Sequence, residues 1–275
     1  MAMAESTASE TAAAPSATFT ISSFNVLGSS HTPPGGERAP GTTRIRWTAK
    51  LMERHGVDVV GFQELQTDQA SGFLRATEGR FGLFPGNSMR PRDSKTSIAW
   101  RTRMWQLVET RTIEMPYFDG AMRPMPVVLL RNRSTGVEAW FANFHNPADT
   151  KSRGPQARWR ERATTLQADL VHELRRTGRP VFVTGDMNEK EIYFCRFTGA
   201  APVHSASGGT NLNGQCRPPD PIRIDWIFGL KELDFYDYMQ IRSPLVLKTS
   251  DHWLIVSGAR IDADKFPRAV AGSAR

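Results

Sequence analysis

Gly185-Asp186-Met187-Asn188 places a carboxylate and a carboxamide two residues apart, directly after the apolar run 181–183. Side chains two residues apart at the end of a strand point in the same direction, and Gly185 lets the backbone turn sharply. Such a pair suits the binding of a water molecule or a phosphate. The same four residues are also typical of an Asx turn, so alone they leave both interpretations open.

Three further apolar runs end in a side chain that can bind a metal ion or a proton. They lead to Asn25, Glu64 and His145. In the C-terminal third, Asp225 lies within an alternating run, and Asp251-His252 precedes the apolar run 253–256. An Asp beside a His is common by chance and alone would indicate a turn. Together these groups are hard to explain as separate turns, and they favour a functional site at the strand ends.

The spacing of these residues predicts the elements that position them. Asn25 and Glu64 are 39 residues apart, and His145 and Asp186 are 41 apart. Each interval holds a strand end, an amphipathic helix and a second strand, the unit that packs a helix on a sheet. Apolar residues recur at steps of three and four in both helices. They are Ile45, Ala49 and Met52 in the first helix, and Trp159, Ala163, Leu166, Leu170 and Leu174 in the second.

The length of 275 residues suits one large α/β domain, because no linker rich in Pro or Ser divides the middle of the chain. We expect the domain to cover residues 18–262. Residues 1–17 are rich in Ala, Ser and Thr without apolar periodicity, which predicts a disordered tail, and residues 263–275 predict a short C-terminal tail. The sequence contains no transmembrane stretch, and we expect a monomer.

The net charge is +7 at pH 7, and the N-terminal tail contributes only acidic residues, Glu5 and Glu10. A basic surface raises the local concentration of polyanions, which favours nucleic acid or an anionic lipid surface over a neutral substrate. The Arg-rich segment 151–162, with Trp159 interleaved, predicts either a contact with a phosphate backbone or a solvated helix face.

The chain has two cysteines, Cys195 and Cys216, on either side of a loop rich in Gly, Pro and Asn. They can form a disulfide that closes this loop, or they can remain as two free buried thiols. The N-terminus lacks the basic-then-apolar pattern of an export signal, although its Ala/Ser-rich start resembles a processed end. We expect a secreted, extracellular protein, with the cytoplasm as the alternative.

The order Asn25, Glu64, His145, Gly185-Asp186-x-Asn188, Ile224-Asp225-Trp226-Ile227 and Ser250-Asp251-His252 resembles the endonuclease/exonuclease/phosphatase superfamily, which includes DNase I-like nucleases. The resemblance covers roughly residues 18–262. Gly-Asp-x-Asn followed by Ser-Asp-His at this distance is specific, whereas any one motif is not. The resemblance implies an α/β (α+β) fold, a four-layer αββα sandwich of two mixed β-sheets flanked by helices. The site is then expected in the cleft at one end of the sheets.

The same resemblance implies a metal site and a set of roles. Glu64 matches the family's metal-binding glutamate, with Asn25 and Asp251 close by. Oxygen ligands of this kind suit a hard ion, Mg²⁺ or alternatively Mn²⁺ or Ca²⁺. The implied reaction is in-line hydrolysis of a phosphate ester, with the metal neutralising the charge that develops.

The catalytic residues implied by the resemblance are His252, Asp225, Asp186, Asn188 and His145. Asp186 and Asn188 match the pair that orients or activates the attacking water and contacts the phosphate. His252 matches the catalytic imidazole, Asp225 the carboxylate that fixes its tautomer, and His145 a second imidazole at the scissile phosphate.

The chain departs from the family pattern between Phe84 and Trp100, where several members place a tyrosine or an acidic residue near the phosphate. This segment has no tyrosine, and Arg92, Asp93 and Lys95 are the local candidates. His145-Asn146-Pro147 resembles the corresponding loop of secreted DNases only loosely. The predicted substrate-binding residues are Arg92, Lys95 and Asn146.

The sequence therefore predicts a metal-dependent phosphodiesterase that acts on nucleic acid. A sphingomyelinase-like or phosphoinositide phosphatase-like enzyme is the alternative within catalysis, with Met115-Pro116-Tyr117-Phe118 as a candidate lipid contact. A catalytically silent binding module that kept the fold is the alternative from another class. The presence of all the site residue types argues against the silent module.

Overall fold

The structure, a computed structural model, describes residues 14–33, 35–90 and 95–270. Its strands, in chain order, are β1 (Ser16–Asn25), β2 (Val59–Gln63), β3 (Phe81–Phe84), β4 (Ser97–Arg101), β5 (Trp105–Pro116), β6 (Met122–Asn132), β7 (Glu138–His145), β8 (Val181–Asp186), β9 (Val203–Ser205), β10 (Thr210–Leu212), β11 (Gln215–Arg217), β12 (Asp225–Leu230), β13 (Asp234–Ile241) and β14 (Leu254–Asp262). Its α-helices are α1 (Gly41–Arg54), α2 (Thr67–Thr77), α3 (Ala157–Arg175), α4 (Glu191–Ala200) and α5 (Pro244–Thr249).

Two mixed β-sheets form the centre of the molecule. Within the described residues, each has six strands, in the orders β13-β14-β1-β2-β4-β3 and β5-β6-β7-β8-β12-β9. The predicted strand–helix–strand repeats are confirmed, because β1 pairs in parallel with β2 and β7 pairs in parallel with β8. Helices α1 and α3 are the crossovers, as a parallel connection requires. The remaining strand pairs in both sheets are antiparallel.

The predicted four-layer sandwich is confirmed, with one hydrophobic cluster inside and another beneath the helices of the first sheet. Between the sheets, Phe19 packs edge-on against Phe141 and Phe182, with ring centroids 5.8 and 5.3 Å apart. Ile45 and Met52 of α1 are fully buried against the outer face of the first sheet. Alternation along each strand separates these faces, because successive side chains point to opposite sides of a sheet.

A polar layer lies between the two sheets, directly beneath the strand ends. The Gln63 amide donates to Asn143 Oδ1 at 2.8 Å, and the Asn143 amide donates to the Phe62 carbonyl at 2.8 Å. The Thr184 hydroxyl also donates to Asn143 Oδ1, at 3.1 Å. Gly61 faces Asn143 and Thr184 so closely that a Cβ there would overlap both side chains. These bonds hold the two sheets in one register near the strand ends.

Both ends of the folded part pack on the sandwich. Strand β1 begins at Ser16, and residues 1–13, which form most of the predicted N-terminal tail, lie outside the described residues. Of the predicted C-terminal tail, residues 263–270 pack against the domain: Ala269 is fully buried and its carbonyl accepts a hydrogen bond from the Glu138 N–H. Among the described residues, no helix is both long and apolar enough to cross a membrane.

A disulfide joins Cys195 of α4 to Cys216 of β11. The disulfide alternative is therefore the one the structure adopts. The bond attaches the two-stranded hairpin β10–β11 to the body of the domain, and the Asn211 amide adds a hydrogen bond to the Cys195 carbonyl at 2.8 Å.

Reduction of this disulfide is expected to lower the free energy of unfolding by about 3 kcal/mol, because the cross-link limits the freedom of the unfolded chain. The two cysteines are 21 positions apart, which sets the size of the closed loop. Urea unfolding with and without a reductant measures the difference. The double variant Cys195→Ser/Cys216→Ser is the control and should be insensitive to the reductant. Alkylation of both thiols in the untreated native protein would contradict the prediction.

Candidate active site

Chain segments from both sheets meet at one end of the sandwich. The carboxyl ends of β1, β2, β7 and β8 lie there, and so do the segments that begin β12 and β14. Asp225, the first residue of β12, is paired in register with Asp186, the last residue of β8. Asn25, His145 and Asp186 occupy the final positions of their strands. The strand ends thus bring together residues that are far apart in the sequence.

Asp186 is the central carboxylate of the site and is fully enclosed. Its Oδ2 accepts a hydrogen bond from the Asn25 amide at 3.1 Å, and it lies 3.5 Å from His145 Nε2 and 3.6 Å from His252 Nε2. Its Oδ1 accepts from the Asn188 backbone N–H at 3.0 Å. Burial raises the pKa of Asp186, while His252 and His145 act in the opposite direction. A buried carboxylate of raised pKa is suited to accept a proton from a water molecule.

Glu64 lies beside Asp186, on the other side of the Asn25 amide. Its backbone has a left-handed conformation (φ 58°), which turns the side chain into the cleft at the end of β2. The carboxylate accepts hydrogen bonds from the Asn25 amide at 3.1 Å and from the Gly28 N–H at 2.9 Å. Burial alone would raise the pKa of Glu64, but His145, Gly28 and Asn25 lower it further than burial raises it. His145 contributes only when protonated, whereas the hydrogen bonds from Gly28 and Asn25 favour the ionised form of Glu64 whatever the charge of His145.

The amide of Asn25 therefore stands between two carboxylate oxygens, at 3.1 Å from each. Two carboxylate oxygens that share one N–H donor create a region of negative potential, and positive charge is stabilised there. Carboxylate and amide oxygens are the ligands of hard divalent cations, so Glu64 fits such an ion, with Asn25 beside it, whose Oδ1 also accepts from the Leu27 N–H at 3.0 Å. The bound ion would neutralise negative charge on a phosphate, which is the chemistry that a divalent cation supplies to phosphoester hydrolysis.

A second group of three ligand-capable side chains consists of Asp186, Asp225 and His252, whose ligand atoms lie within 4.8 Å of one another. In this group His252 Nδ1 is held by Asp225, at 2.9 Å from Oδ2 and 3.1 Å from Oδ1. One ring nitrogen is thus occupied by the carboxylate, and the other faces Asp186. This arrangement is typical of an imidazole oriented by a carboxylate, so we interpret the group as an acid–base pair and place the metal at Glu64.

The two imidazoles of the site differ in protonation. Burial lowers the pKa of His252, but Asp225 and Asp186 oppose it and together raise the pKa to about 10. Burial also lowers the pKa of His145, and there the nearby carboxylates do not compensate. His252 is therefore the cationic imidazole at neutral pH, and His145 is the neutral one.

This difference predicts two distinct titrations by NMR in the metal-free protein. A raised pKa means that His252 keeps its proton until the pH passes about 10, so its ring signals should still be those of imidazolium at about pH 8. The lowered pKa of His145 means that its ring should be neutral at that pH. Assignment by His252→Gln and His145→Gln separates the signals. Equal midpoints near 6.5 for both rings would refute the prediction.

Arg160 of α3 joins the loops that follow β7 and β8. Its side chain is buried, at 5% exposure, and its Nε donates to Glu189 Oε1 at 2.9 Å. Its Nη1 donates to the Pro147 carbonyl at 3.0 Å and to Asp149 Oδ1 at 2.8 Å. The sequence predicts that the Arg-rich segment 151–162 is solvated or contacts a phosphate backbone. Arg160 is neither solvated nor free to contact a phosphate, because its donors fix the loops that follow His145 and Asn188.

Asn146, a predicted substrate-binding residue, is buried behind His145 and is not among the residues that line the cleft. Its N–H donates to the Asp186 carbonyl, and its own carbonyl accepts from the Asn188 amide, both at 2.9 Å. Gln167 of α3 donates to Asn146 Oδ1 at 2.8 Å. The structure therefore places Asn146 where it supports Asn188.

Two other predicted residues lie at the edges of the site. Lys95 lines the cleft, and its role in substrate binding stays a prediction. Asp251 is exposed, and within the described chain its side chain accepts one hydrogen bond, from Ser250 Oγ at 3.3 Å. Arg92 and the neighbouring candidate Asp93 lie outside the described residues.

The cleft has a volume of about 350 Å³, and one wall is aromatic and basic. The Tyr117 ring lies edge-on to His145, with centroids 5.5 Å apart, and the Arg123 guanidinium lies 4.0 Å above the Tyr117 ring. Phe118 packs edge-on to Tyr117 at 4.6 Å. Burial raises the pKa of Tyr117, so its hydroxyl remains a donor. The family pattern places a tyrosine between Phe84 and Trp100, where this chain has none. The tyrosine that lines this cleft is Tyr117, directly after β5.

Comparison with solved structures identifies proteins that share this fold. An endonuclease/exonuclease/phosphatase family protein from Bacteroides thetaiotaomicron superposes with a TM-score of 0.68 at 19% identity, covering 90% of this chain and 99% of the other. The mannosyl-6-phosphatase Bt3783 of the same organism gives 0.65 at 18% identity, covering 88% and 99%. The human Nocturnin catalytic domain with bound sulfate gives 0.66 at 17% identity, covering 88% and 94%. At these identities the similarity shows the fold alone.

A search of curated proteins gave no match to this chain. The family model described as endonuclease/exonuclease/phosphatase family matches residues 22–252, from the first strand to the His252 imidazole. The match spans the strand ends and loops that carry every residue of the cluster around Asp186. The chain belongs to the endonuclease/exonuclease/phosphatase family.

Proposed function

We propose that this protein is a divalent-cation-dependent phosphodiesterase that acts on nucleic acid. The observation that carries the proposal is the composition of the cleft. Asp186, His145 and His252 line the same cavity as Tyr117, Phe118 and Arg123, and the Tyr117 ring lies edge-on to His145. The cluster supplies groups for proton transfer, and the wall supplies an arginine and two aromatic rings for a phosphate with an attached base or sugar.

In the proposed reaction, the chain's own residues bind and orient the phosphate and the attacking water. Asp186 and the Asn188 amide hold the water, and Asp186 accepts its proton because burial raises the pKa of this carboxylate. His252, kept cationic by Asp225, gives its proton to the leaving oxygen as the P–O bond to that oxygen breaks. Glu64, with Asn25 beside it, would hold the divalent cation.

The charge of the protein supports a polyanionic substrate. The net charge is +7, and cationic side chains lie at the cleft itself, Lys95 and Arg123. Phosphate groups outside the scissile position would be attracted by such a surface, and the attraction weakens as salt is added.

A phosphomonoesterase that acts on a small phosphorylated molecule is the second candidate, with phosphoinositides as one such class. The observation that favours it is the limited size of the cleft, about 350 Å³, which holds a small molecule without further contacts. A lipid contact at Tyr117 and Phe118 is less favoured. Tyr117 is buried, with 7% exposure, and Phe118 is covered in part by the Arg153 guanidinium, 5.9 Å from its ring.

We also propose that the mature protein works in an oxidising, extracellular compartment. The disulfide between Cys195 and Cys216 supports this proposal, because disulfides persist mainly in secreted proteins. Expression with and without an export signal, followed by mass spectrometry of non-reduced peptides, tests it. A protein that is fully reduced in its native compartment would rule it out.

The deciding experiment is a panel of single-stranded DNA, RNA, plasmid DNA, sphingomyelin, a phosphoinositide and a sugar phosphate. Each is incubated with Mg²⁺, Mn²⁺, Ca²⁺ or EDTA. We expect cleavage of nucleic acid that requires a divalent cation and falls with rising salt. Release of inorganic phosphate from the sugar phosphate or phosphoinositide, with intact nucleic acid, would instead establish the second candidate. Binding of nucleic acid without cleavage under every condition would identify a silent binding module.

A further inference from the structure

We propose that His31 is an additional ligand of the divalent cation at Glu64, so that the site prefers Mn²⁺ to Mg²⁺ and Ca²⁺. This inference rests on the proposed function, because it presumes a cation at Glu64. His31 belongs to the short 3₁₀ turn Ser29–His31 that follows β1, and it was not among the residues singled out in the sequence. Its ring lines the same cleft as Asp186 and His252.

The position of the His31 ring suits a shared ligand. Its Nε2 lies 3.4 Å from Glu64 Oε2, and this is the one polar contact of the ring among the described residues. Two ligand atoms bound at about 2.1 Å to the same ion, at a right angle, are about 3 Å apart. The separation is therefore close to that of neighbouring ligands, while it is long for a direct hydrogen bond. The imidazole is 58% exposed, so turning it toward an ion costs little packing.

The turn that carries His31 is fixed to the segment that follows Glu64. The Gln66 side chain accepts from the Ser30 N–H at 3.1 Å and donates to Ser30 Oγ at 2.6 Å. Gln69 accepts from the Ser29 N–H at 3.1 Å. These bonds connect the residues next to His31 with the first turn of α2, two to five residues after Glu64. The structure thus fixes the turn that carries His31 beside Glu64 through several bonds, while the ring itself can turn toward an ion.

An imidazole ligand changes which ion the site selects. Mg²⁺ and Ca²⁺ favour oxygen ligands, and Mg²⁺ keeps most of its waters. Divalent transition ions gain affinity from an imidazole nitrogen, and Mn²⁺, although the weakest binder of that series and itself well suited to oxygen ligands, belongs to it while Mg²⁺ and Ca²⁺ do not. A site of Glu64 and Asn25 alone would be an oxygen-only site. With His31 added, we expect tighter binding of Mn²⁺ and little gain for Mg²⁺.

The test measures binding directly and does not depend on turnover. Full-length protein at about pH 8 is titrated with Mn²⁺, followed by the loss of the free-ion EPR signal, and with Mg²⁺ by calorimetry. His31→Gln is expected to weaken Mn²⁺ binding about tenfold and to change Mg²⁺ affinity less than about twofold, as loss of one nitrogen ligand predicts. Pulsed EPR of bound Mn²⁺ should show a ¹⁴N coupling that His31→Gln removes.

The matched control is His172→Gln, which replaces an exposed histidine on α3 whose ring bonds to the Ala200 carbonyl, outside the cleft. It should leave Mn²⁺ affinity and the ¹⁴N coupling unchanged. If Mn²⁺ binds to the wild type, is lost in Glu64→Gln, and shows no ¹⁴N coupling sensitive to His31→Gln, the inference fails while the proposed function stands. If the wild type binds neither ion, both fail. Melting temperatures in EDTA confirm that each variant is folded.

Discussion

His252→Ala is expected to reduce phosphodiester turnover about 10²- to 10⁴-fold, the usual contribution of a positioned proton-transfer group. Adding Asp225→Asn to it should cost little more. Asp225 holds His252 Nδ1 at 2.9 Å and raises the pKa of the ring, so it acts through the imidazole. Once the imidazole is gone, the carboxylate has nothing to orient. Steady-state kinetics of the two single variants and the double variant measure the coupling.

The same series distinguishes an enzyme from a binding protein. Metal affinity, followed by Mn²⁺ EPR, should stay within a few-fold of wild type in His252→Ala, because Glu64 and Asn25 remain. The coupling is disproved if the two single effects multiply fully in the double variant. Hydrolysis at the wild-type rate in His252→Ala would eliminate the proposed mechanism.

Glu64→Gln is expected to abolish metal-dependent turnover and to leave the fold intact. The substitution removes the negative charge that faces the Asn25 amide and keeps the side-chain volume. Loss of one carboxylate from a site with few protein ligands should weaken cation binding by more than about tenfold. Turnover with increasing Mg²⁺ or Mn²⁺, together with thermal unfolding, separates the loss of metal from a loss of structure.

Glu78→Gln is the matched control for this variant. Glu78 follows α2 and, like Glu64, has a left-handed backbone (φ 49°), but its side chain is exposed and does not line the cleft. It carries the same chemical change in the same backbone conformation. We expect wild-type turnover and metal affinity from it. Full activity of Glu64→Gln, or undiminished wild-type activity in EDTA, would overturn the metal assignment.

The strands, the crossover helices and the clustering of polar residues at the strand ends could be predicted from the sequence because their signals are local, whereas the catalytic roles of those residues remain predictions. Each apolar run ends at a polar residue, and the parallel repeat brings such ends to the same edge of a sheet. Asn25, His145 and Asp186 lie where that argument placed them. Asp186 Oδ2 is 3.1 Å from the Asn25 amide nitrogen and 3.5 Å from His145 Nε2. The assignment of Glu64 as the metal ligand remains a prediction.

The wall of the cleft could not be predicted in the same way. Tyr117 and Arg123 lie on either side of the turn between β5 and β6, and only the pairing of the second sheet brings that turn next to His145. The turn that carries His31 is held next to Glu64 because Gln66 and Gln69 accept hydrogen bonds from Ser30 and Ser29. In the sequence these two glutamines look like ordinary residues at the start of a helix. Positions that depend on how distant segments pack leave no periodic signal along the chain.

Asn143 joins the two sheets through the Gln63 amide and the Phe62 carbonyl, so an apolar residue introduced there alone would leave buried donors and acceptors unpaired. Each such intermediate would cost about 1–3 kcal/mol, a large part of the stability of a typical domain. An apolar replacement of the whole set would avoid that cost, but it requires several changes at once. Gradual drift in sequence is therefore blocked at these positions. The polar layer beneath the strand ends is therefore expected either to be replaced as a group of residues or to remain unchanged.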